Sequence, residues 1–316
     1  MSPRPVSTPS APPRVLMPWP FARKPALTLL FDGIAYGMLL FVLALGLAVT
    51  MGLMNFVNLA HGAFAMAGGY LLVLLMQRAG WPFLAALPVC FAVPALAGAL
   101  LERTLYRPMY AKPHLDQVLF SIGLTFMAVA AVDYFVGSSQ LNVQLPGWLR
   151  QRWEFFADTP FMLGIGAYRL FIVVTCCLLA AALQLVLVRT RFGSRLRAAV
   201  DDPRVAAALG IPVDRVFLLT FAVGSGLAGL GGALGADILG LDPSFPLKFM
   251  VYFLIVCAVG GSSSITGPLA AALLLGVADV FGKYYLPKLG SFIVYTLMII
   301  ILLWRPQGLF TREAAR

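Results

Sequence analysis

The chain has 316 residues, of which 60% are apolar and only 11% charged, against about 25% charged in a soluble protein. A soluble domain of that length would lack the polar surface to cover itself, so a soluble enzyme is excluded. The net charge of +10 would suggest nucleic acid in a soluble protein, but these basic residues fall between apolar runs, where positive charge sets membrane orientation; no nucleic-acid partner is expected.

Residues 1–28 carry eight prolines and four basic residues without an acid and read as a disordered basic tail. The apolar stretch after them is far longer than the core of a cleaved signal peptide. From there the chain alternates between polar gaps and seven runs without Asp, Glu, Lys or Arg: 33–77, 79–101, 117–132, 170–188, 216–236, 249–278 and 289–304. At about 20 residues per crossing these supply roughly eight membrane spans. The expected fold is an all-α polytopic membrane protein, a single permease-like domain over 29–310 followed by a short tail, 311–316.

The first third divides into helical pieces at 33–52, 62–77 and 82–101. If all three span, the N-terminus lies outside; if one is re-entrant, it lies inside. Between the first two pieces stands Asn55-Phe-Val-Asn-Leu-Ala-His-Gly62. Asn55, Asn58 and His61 in the middle of a long uncharged stretch are costly unless satisfied inside the protein. Such groups either line a path for a polar solute or cap and glue helices; the residues alone leave both open.

The next gap, 102–116, is basic, and the gap 138–159 balances Arg150 and Arg152 with Glu154 and Asp158. The gap 189–215 holds Arg189, Arg191, Arg195, Arg197, Arg204 and Arg215. Two crossings separate 102–116 from 189–215, so both lie on one side, which the positive-inside rule makes cytoplasmic, and 138–159 faces out. Within 189–215, Asp202 supplies an N-cap, Pro203 a first-turn proline and Gly210 a terminal glycine, framing a short helix over Pro203–Leu209. A second short helix is expected over 194–200. Short surface helices with the apolar body Ala206-Ala-Ala-Leu-Gly210 suit a docking site for a soluble partner, with an ordinary solvated loop as the alternative.

Further on, Gly224-Ser-Gly-Leu-Ala-Gly-Leu-Gly-Gly-Ala-Leu-Gly235 spaces small residues for close helix approach. A second polar break, Gly260-Gly-Ser-Ser-Ser-Ile-Thr-Gly-Pro268, interrupts an uncharged stretch, and Ser262, Ser263 and Ser264 there cap half-helices or line a path. Broken helices in both halves are a transporter device and hint at an internal repeat. The acids Asp32, Asp133, Asp237 and Asp279 fall near span ends, which argues against an ion-coupled carrier. Gly261-Ser-Ser-Ser264 matches the short motif of intramembrane serine proteases, with His61 as the sole candidate base, but that pattern is common in membrane helices. Cys90, Cys176, Cys177 and Cys257 read as small core residues, and two histidines exclude a histidine-based metal cluster. No Gly-x-x-x-x-Gly-Lys-[Ser/Thr] occurs, so if ATP drives this protein, the nucleotide site is on another chain.

Taken together, Asn58-Leu-Ala-His-Gly62, Glu102-Arg103 with Tyr106-Arg-Pro108, Arg191-Phe-Gly193 through Ala207-Ala-Leu-Gly-Ile211, Ala258-Val-Gly-Gly261 with Gly267-Pro268, and Pro306-Gln-Gly308 resemble the LivH-type permeases, membrane subunits of ABC importers for branched-chain amino acids. The likeness runs from about residue 30 to 310. It implies a second permease subunit (a related chain or a copy), two cytoplasmic ATPases that hold ATP and Mg, and a periplasmic solute-binding protein, all in a bacterial inner membrane. It further implies that Gly193, Arg197, Asp201, Asp202, Ala207 and Gly210 contact the ATPase. By the same likeness, Asn55, Asn58, His61, Gly62, Gly260, Gly261 and Ser262–Ser264 lie near the translocation path. The sequence departs from many relatives at Ala63 and at Ser262–Ser264, which leaves urea or short amides open as solutes.

Overall fold

In hydrocarbon a backbone N–H or C=O has no water to bond, so uncharged segments this long close their hydrogen bonds internally as helices. The computed structural model describes residues 26–54, 56, 58–110, 112–155, 163–261, 266–305 and 308–309. Among them, six helices are long and apolar enough to cross a membrane. These belong to α1 (Ala26–Met54), α3 (Phe83–Leu101, prolonged by tighter and wider turns to Met109), α4 (His114–Val136), α5 (Ala167–Arg189), α8 (Val213–Leu239) and α10 (Thr266–Tyr285). Three shorter apolar helices accompany them: α2 (His61–Gln77), α9 (Phe245–Gly260) and α11 (Gly290–Trp304). The loop after α5 folds as α6 (Arg191–Asp201) and α7 (Pro203–Ala208), and a small antiparallel ribbon pairs β1 (Arg152–Phe155) with β2 (Leu163–Gly166).

α1 and α8 are the buried axes of the bundle, while α4 and α5 keep most of their apolar surface exposed, as helices facing lipid do. α1 lies along α10 in the same way that α8 lies along α3; the two central helices touch each other, and the short helix α2 packs chiefly on α8 while α9 packs on α1. This reciprocal packing relates α1–α2–α3 to α8–α9–α10. It pairs the break before α2 with the segment 240–244 before α9, whereas the sequence reading matched it to 260–268. The uncharged stretch 249–278 is divided between α9, which ends at Gly260, and α10, which begins at Thr266, so it is broken midway as the polar residues suggest.

Close approach explains the glycine usage of α8. A Cβ on Gly229 would lie 2.6 Å from the Cys90 carbonyl oxygen and 2.8 Å from Pro94 Cβ. Pro94, inside α3, has no N–H for that carbonyl, and Gly229 fills the resulting notch. Gly232 meets the Ala65 carbonyl of α2 and Gly68 meets that of Gly229, so α2 crosses α8 backbone to backbone. Without a hydrophobic force between helices in lipid, contact area and small residues of this kind hold them together.

Two sets of contacts fix the faces. Arg107 forms an ion pair with Asp214, joining the gaps 102–113 and 189–215 on one face, as the span count requires. On the opposite face Leu141 pairs with Leu241, Gln77 Nε2 donates to the Asn142 carbonyl at 2.9 Å, and the Gly164 N–H donates to Thr28 Oγ1 at 2.9 Å. The start of α1 therefore stands on the face opposite Arg107 and Asp214, the arrangement in which α2 returns through the membrane. One cysteine departs from the core reading: Cys177 is exposed on α5, beside buried Cys176.

Candidate functional site

The first break is closed from within the protein. Phe56, Asn58, Leu59, Ala60 and His61 are all buried. Asn58 Oδ1 accepts from the Ala60 N–H at 3.1 Å and from the Tyr106 hydroxyl at 3.0 Å. Helix α4 supplies the rest: Ser121 Oγ accepts from the Leu59 N–H at 3.1 Å, and Thr125 Oγ1 donates to the Leu59 carbonyl at 3.3 Å. Phe56 packs edge-on against Tyr106 and Tyr110, with centroids 5.4 and 5.5 Å apart. An irregular segment that lacks helical partners thus has backbone groups met by its own Asn58 and by side chains of α4, while Tyr106 holds the Asn58 side chain.

His61 begins α2, and its Nε2 lies 2.8 Å from the Leu43 carbonyl of α1. A carbonyl only accepts, so Nε2 carries the proton. The next residue of α1, Ala44, offers its carbonyl to the Cys257 thiol of α9 at 3.8 Å. Gly62 sits where α2 and α9 begin: a Cβ there would be 3.0 Å from Pro246 Cα. The break before α2 is thereby tied through one turn of α1 to the last turn of α9.

At the second break, α9 ends on Gly260, and Gly261 follows with φ +80°, a backbone angle that favours glycine. A Cβ on Gly260 would lie 2.6 Å from Pro268 Cα at the start of α10, so the two helix ends abut. The Leu309 N–H bonds to the Val259 carbonyl at 2.8 Å, folding the chain after α11 against the same corner. Asn55, Ser262, Ser263 and Ser264 lie outside the described residues.

The arginine-rich loop has the opposite character. Asp202 Oδ1 accepts from the N–H groups of Arg204 and Val205 at 2.9 and 3.0 Å, capping α7, and Gly210 ends it with φ +82°. Gly193 packs on the Leu187 backbone at the end of α5, and Arg197 donates to the Leu187 carbonyl at 2.5 Å. Leu196, Ala199, Ala206 and Val216 form a separate small core beneath. Above it Asp201 and Ala207 are exposed, and so are Val205 and Leu209, the latter at 76%. Gly193, Arg197, Asp202 and Gly210 thus shape the platform, while Ala207, Val205 and Leu209 form its apolar surface. The helices span Arg191–Asp201 and Pro203–Ala208, close to the sequence expectation.

Several residues of these sites escaped the sequence reading. Tyr106, Ser121 and Thr125 carry no local signal, because their partners are distant in the chain. Two buried acids were read only as span-end residues: Asp279 pairs with Lys283 at 2.6 Å, a spacing of one helical turn that could have revealed it, and Asp32 pairs with Arg169 from another helix.

The family described as the branched-chain amino acid transport system permease component matches residues 29–302. The high-affinity branched-chain amino acid transport system permease protein LivH of Escherichia coli (strain K12) is 28% identical over 293 residues, covering 90% of this chain and 94% of its own. The probable branched-chain amino acid transport permease protein LivH of Methanocaldococcus jannaschii is 30% identical over 299 residues, covering 89% and 91%. The permease protein LivM of Escherichia coli (strain K12) is 26% identical over 294 residues, covering 86% and 68%. No solved structure matches the chain. With the motifs, the helical bundle and a match over nearly its whole length in agreement, the chain belongs to the branched-chain amino acid transport permease family.

Proposed function

We propose that this chain is one membrane subunit of an ATP-driven importer for branched-chain amino acids. A second, related permease chain stands beside it, two ATPases dock on its cytoplasmic face, and a solute-binding protein delivers solute to the outer face. The observation that carries this reading is the platform over 189–215, an exposed apolar ledge of Val205, Ala207 and Leu209 in an arginine-rich loop, capped by Asp202. An apolar surface beside water on a structured platform fits a partner interface. Weakly buried α4 and α5 leave room for the second permease chain, and likeness to both LivH and LivM supports a pair of unlike subunits. The breaks at 55–62 and 260–268 border the translocation path, and solute passage requires the contacts among α1, α2 and α9 to loosen.

Co-purification with the ATPases tests the platform. Leu209→Arg should abolish recovery of the complex while leaving the thermal transition of the isolated chain unchanged, since the side chain touches solvent. Undiminished recovery would overturn the docking assignment. Reconstituted complex should take up leucine on addition of ATP. Uptake by this chain alone under an ion gradient would replace the importer reading with a secondary carrier, and uptake of urea or a short amide in place of leucine would correct the solute.

A further inference from the structure

The outer face holds a cavity of about 700 Å³ between the ribbon loop, the start of α5 and the end of α8. Its charged lining comes from Arg150, Arg152, Arg169 and Asp237. Two of these are committed within the protein. Arg152 pairs with Glu154 at 3.5 Å, and Arg169 pairs with Asp32. Arg150 and Asp237 form no ion pair or side-chain hydrogen bond with another described residue. They nevertheless stand close enough that Arg150 and Arg169 act electrostatically on the Asp237 carboxylate. Once the internal pairs are counted, one guanidinium and one carboxylate face the same space.

Part of the remaining wall is aliphatic, beside Gln151 and Tyr168. Val143, Leu145 and Leu149 are buried side chains lining the cavity, and Ile238 closes it beside Asp237. One positive group, one negative group and an aliphatic wall are the complement of a zwitterion with a hydrocarbon side chain. A guanidinium suits a carboxylate through two parallel hydrogen bonds, and a carboxylate suits an ammonium. An anion or an acidic protein surface would be repelled by Asp237, and a cation by Arg150. A guanidinium and a carboxylate converging with aliphatic side chains in a concave cavity of this size is a form that small-molecule sites take.

We propose that this outer cavity is a receiving site for an aliphatic α-amino acid, with Arg150 holding the carboxylate, Asp237 the ammonium, and Val143, Leu145, Leu149 and Ile238 the side chain. The site rests on the proposed solute class and adds to it a place on this chain where solute is held after release from its carrier.

Equilibrium binding of labelled L-leucine to the assembled transporter in nanodiscs, without binding protein, tests the assignment. Arg150→Gln and Asp237→Asn should each weaken binding at least about tenfold, equivalent to about 1.4 kcal/mol. Arg152→Gln, whose partner is Glu154, should change it less than twofold. Isopentylamine and 4-methylpentanoate, each lacking one of the two charges, should fail to compete. The exchanged pair Arg150→Asp with Asp237→Arg keeps both charges in the cavity and should regain binding if the single variants are folded. Leucine binding undiminished in the single variants overturns the site, as does equal competition by either analogue or continued loss of binding in a folded exchanged pair. Weakened association with the binding protein alone, leucine binding being kept, reassigns the cavity to protein docking and also overturns it. Wild-type transporter that binds urea or a short amide and no leucine instead defeats the solute reading, a different result from leucine binding that ignores the variants.

Discussion

The two short helices α2 and α9 each follow an irregular segment, but the two segments are satisfied by different chemistry. Before α2, Phe56 and residues 58–60 are buried; Asn58, Ser121 and Thr125 bond the backbone, and the Tyr106 hydroxyl donates to the Asn58 side chain. Before α9, Asp242 caps the turn by accepting from the Ser244 N–H at 2.9 Å, and Lys248 donates to it at 2.5 Å with its own side chain 56% exposed. Depth separates them. A charge in the interior would have to be desolvated at a cost of several kcal/mol, whereas at the outer edge the lysine keeps its contact with water. The same task, meeting the orphan groups of a broken helix, therefore selects amide and hydroxyl groups inside and an ion pair outside.

Forcing the inner segment open should have the largest effect. A Cβ on Gly46 would overlap both the Gly224 backbone, whose carbonyl carbon is 2.8 Å away, and the His61 ring. Gly46→Leu must move α8 or expel His61 from Leu43. The cost should exceed the about 1–3 kcal/mol of ordinary overpacking, because a backbone cannot change rotamer. Monodisperse protein recovered from detergent should fall to near nothing; normal recovery would show that the inner segment tolerates displacement.

A smaller and more selective test removes one hydrogen bond at a time. Asn58→Leu leaves the Tyr106 hydroxyl and the Ala60 N–H without their acceptor, two buried groups at about 1–3 kcal/mol each. Tyr106→Phe deletes only the donor and should cost about 1 kcal/mol, near the upper part of what interhelical hydrogen bonds contribute in membranes. Thermal unfolding in detergent of both single variants and the double variant should show the Tyr106 loss shrinking once Asn58 is gone. Fully additive losses would mean that the pair does not hold the segment.

Much of this was legible in the residues. Long uncharged runs named the crossing helices, since nothing else tolerates such composition, and α7 could be framed because Asp202, Pro203 and Gly210 act within one or two turns. The first break announced itself through Asn58 and His61, polar groups with no business in hydrocarbon. Its partners did not, because Ser121 reaches a backbone group 62 residues away, and a serine in α4 looks the same whether or not it does so. Gly240-Leu-Asp-Pro243 resembles any span end, so its equivalence to the first break emerges only from how α1 packs on α10 and α8 on α3. The outer cavity draws on three separated segments, 143–152, 164–169 and 237–238, and no window of sequence contains it.

The charged segment should differ from the neutral one most cleanly in acid. Burial raises the Asp242 carboxyl, but the hydrogen bonds from Lys248 and Ser244 outweigh it and hold its pKa below the ordinary 3.8. A folded-state pKa below the unfolded value stabilises the fold at pH above 3.8 and is lost as the pH falls beneath it. Asn58, Ser121, Thr125 and Tyr106 gain no charge in that range. In a His61→Gln background, which removes the one imidazole of the inner segment, amide hydrogen exchange should therefore quicken at the start of α9, around Ser244 and Leu247, as the pH drops below 3.8, while the Leu59 and Ala60 amides keep their protection. Asp242→Asn should erase the difference, with slightly faster exchange at the start of α9 even at neutral pH. Equal acid sensitivity at both segments would show that charge and depth are not what divides them.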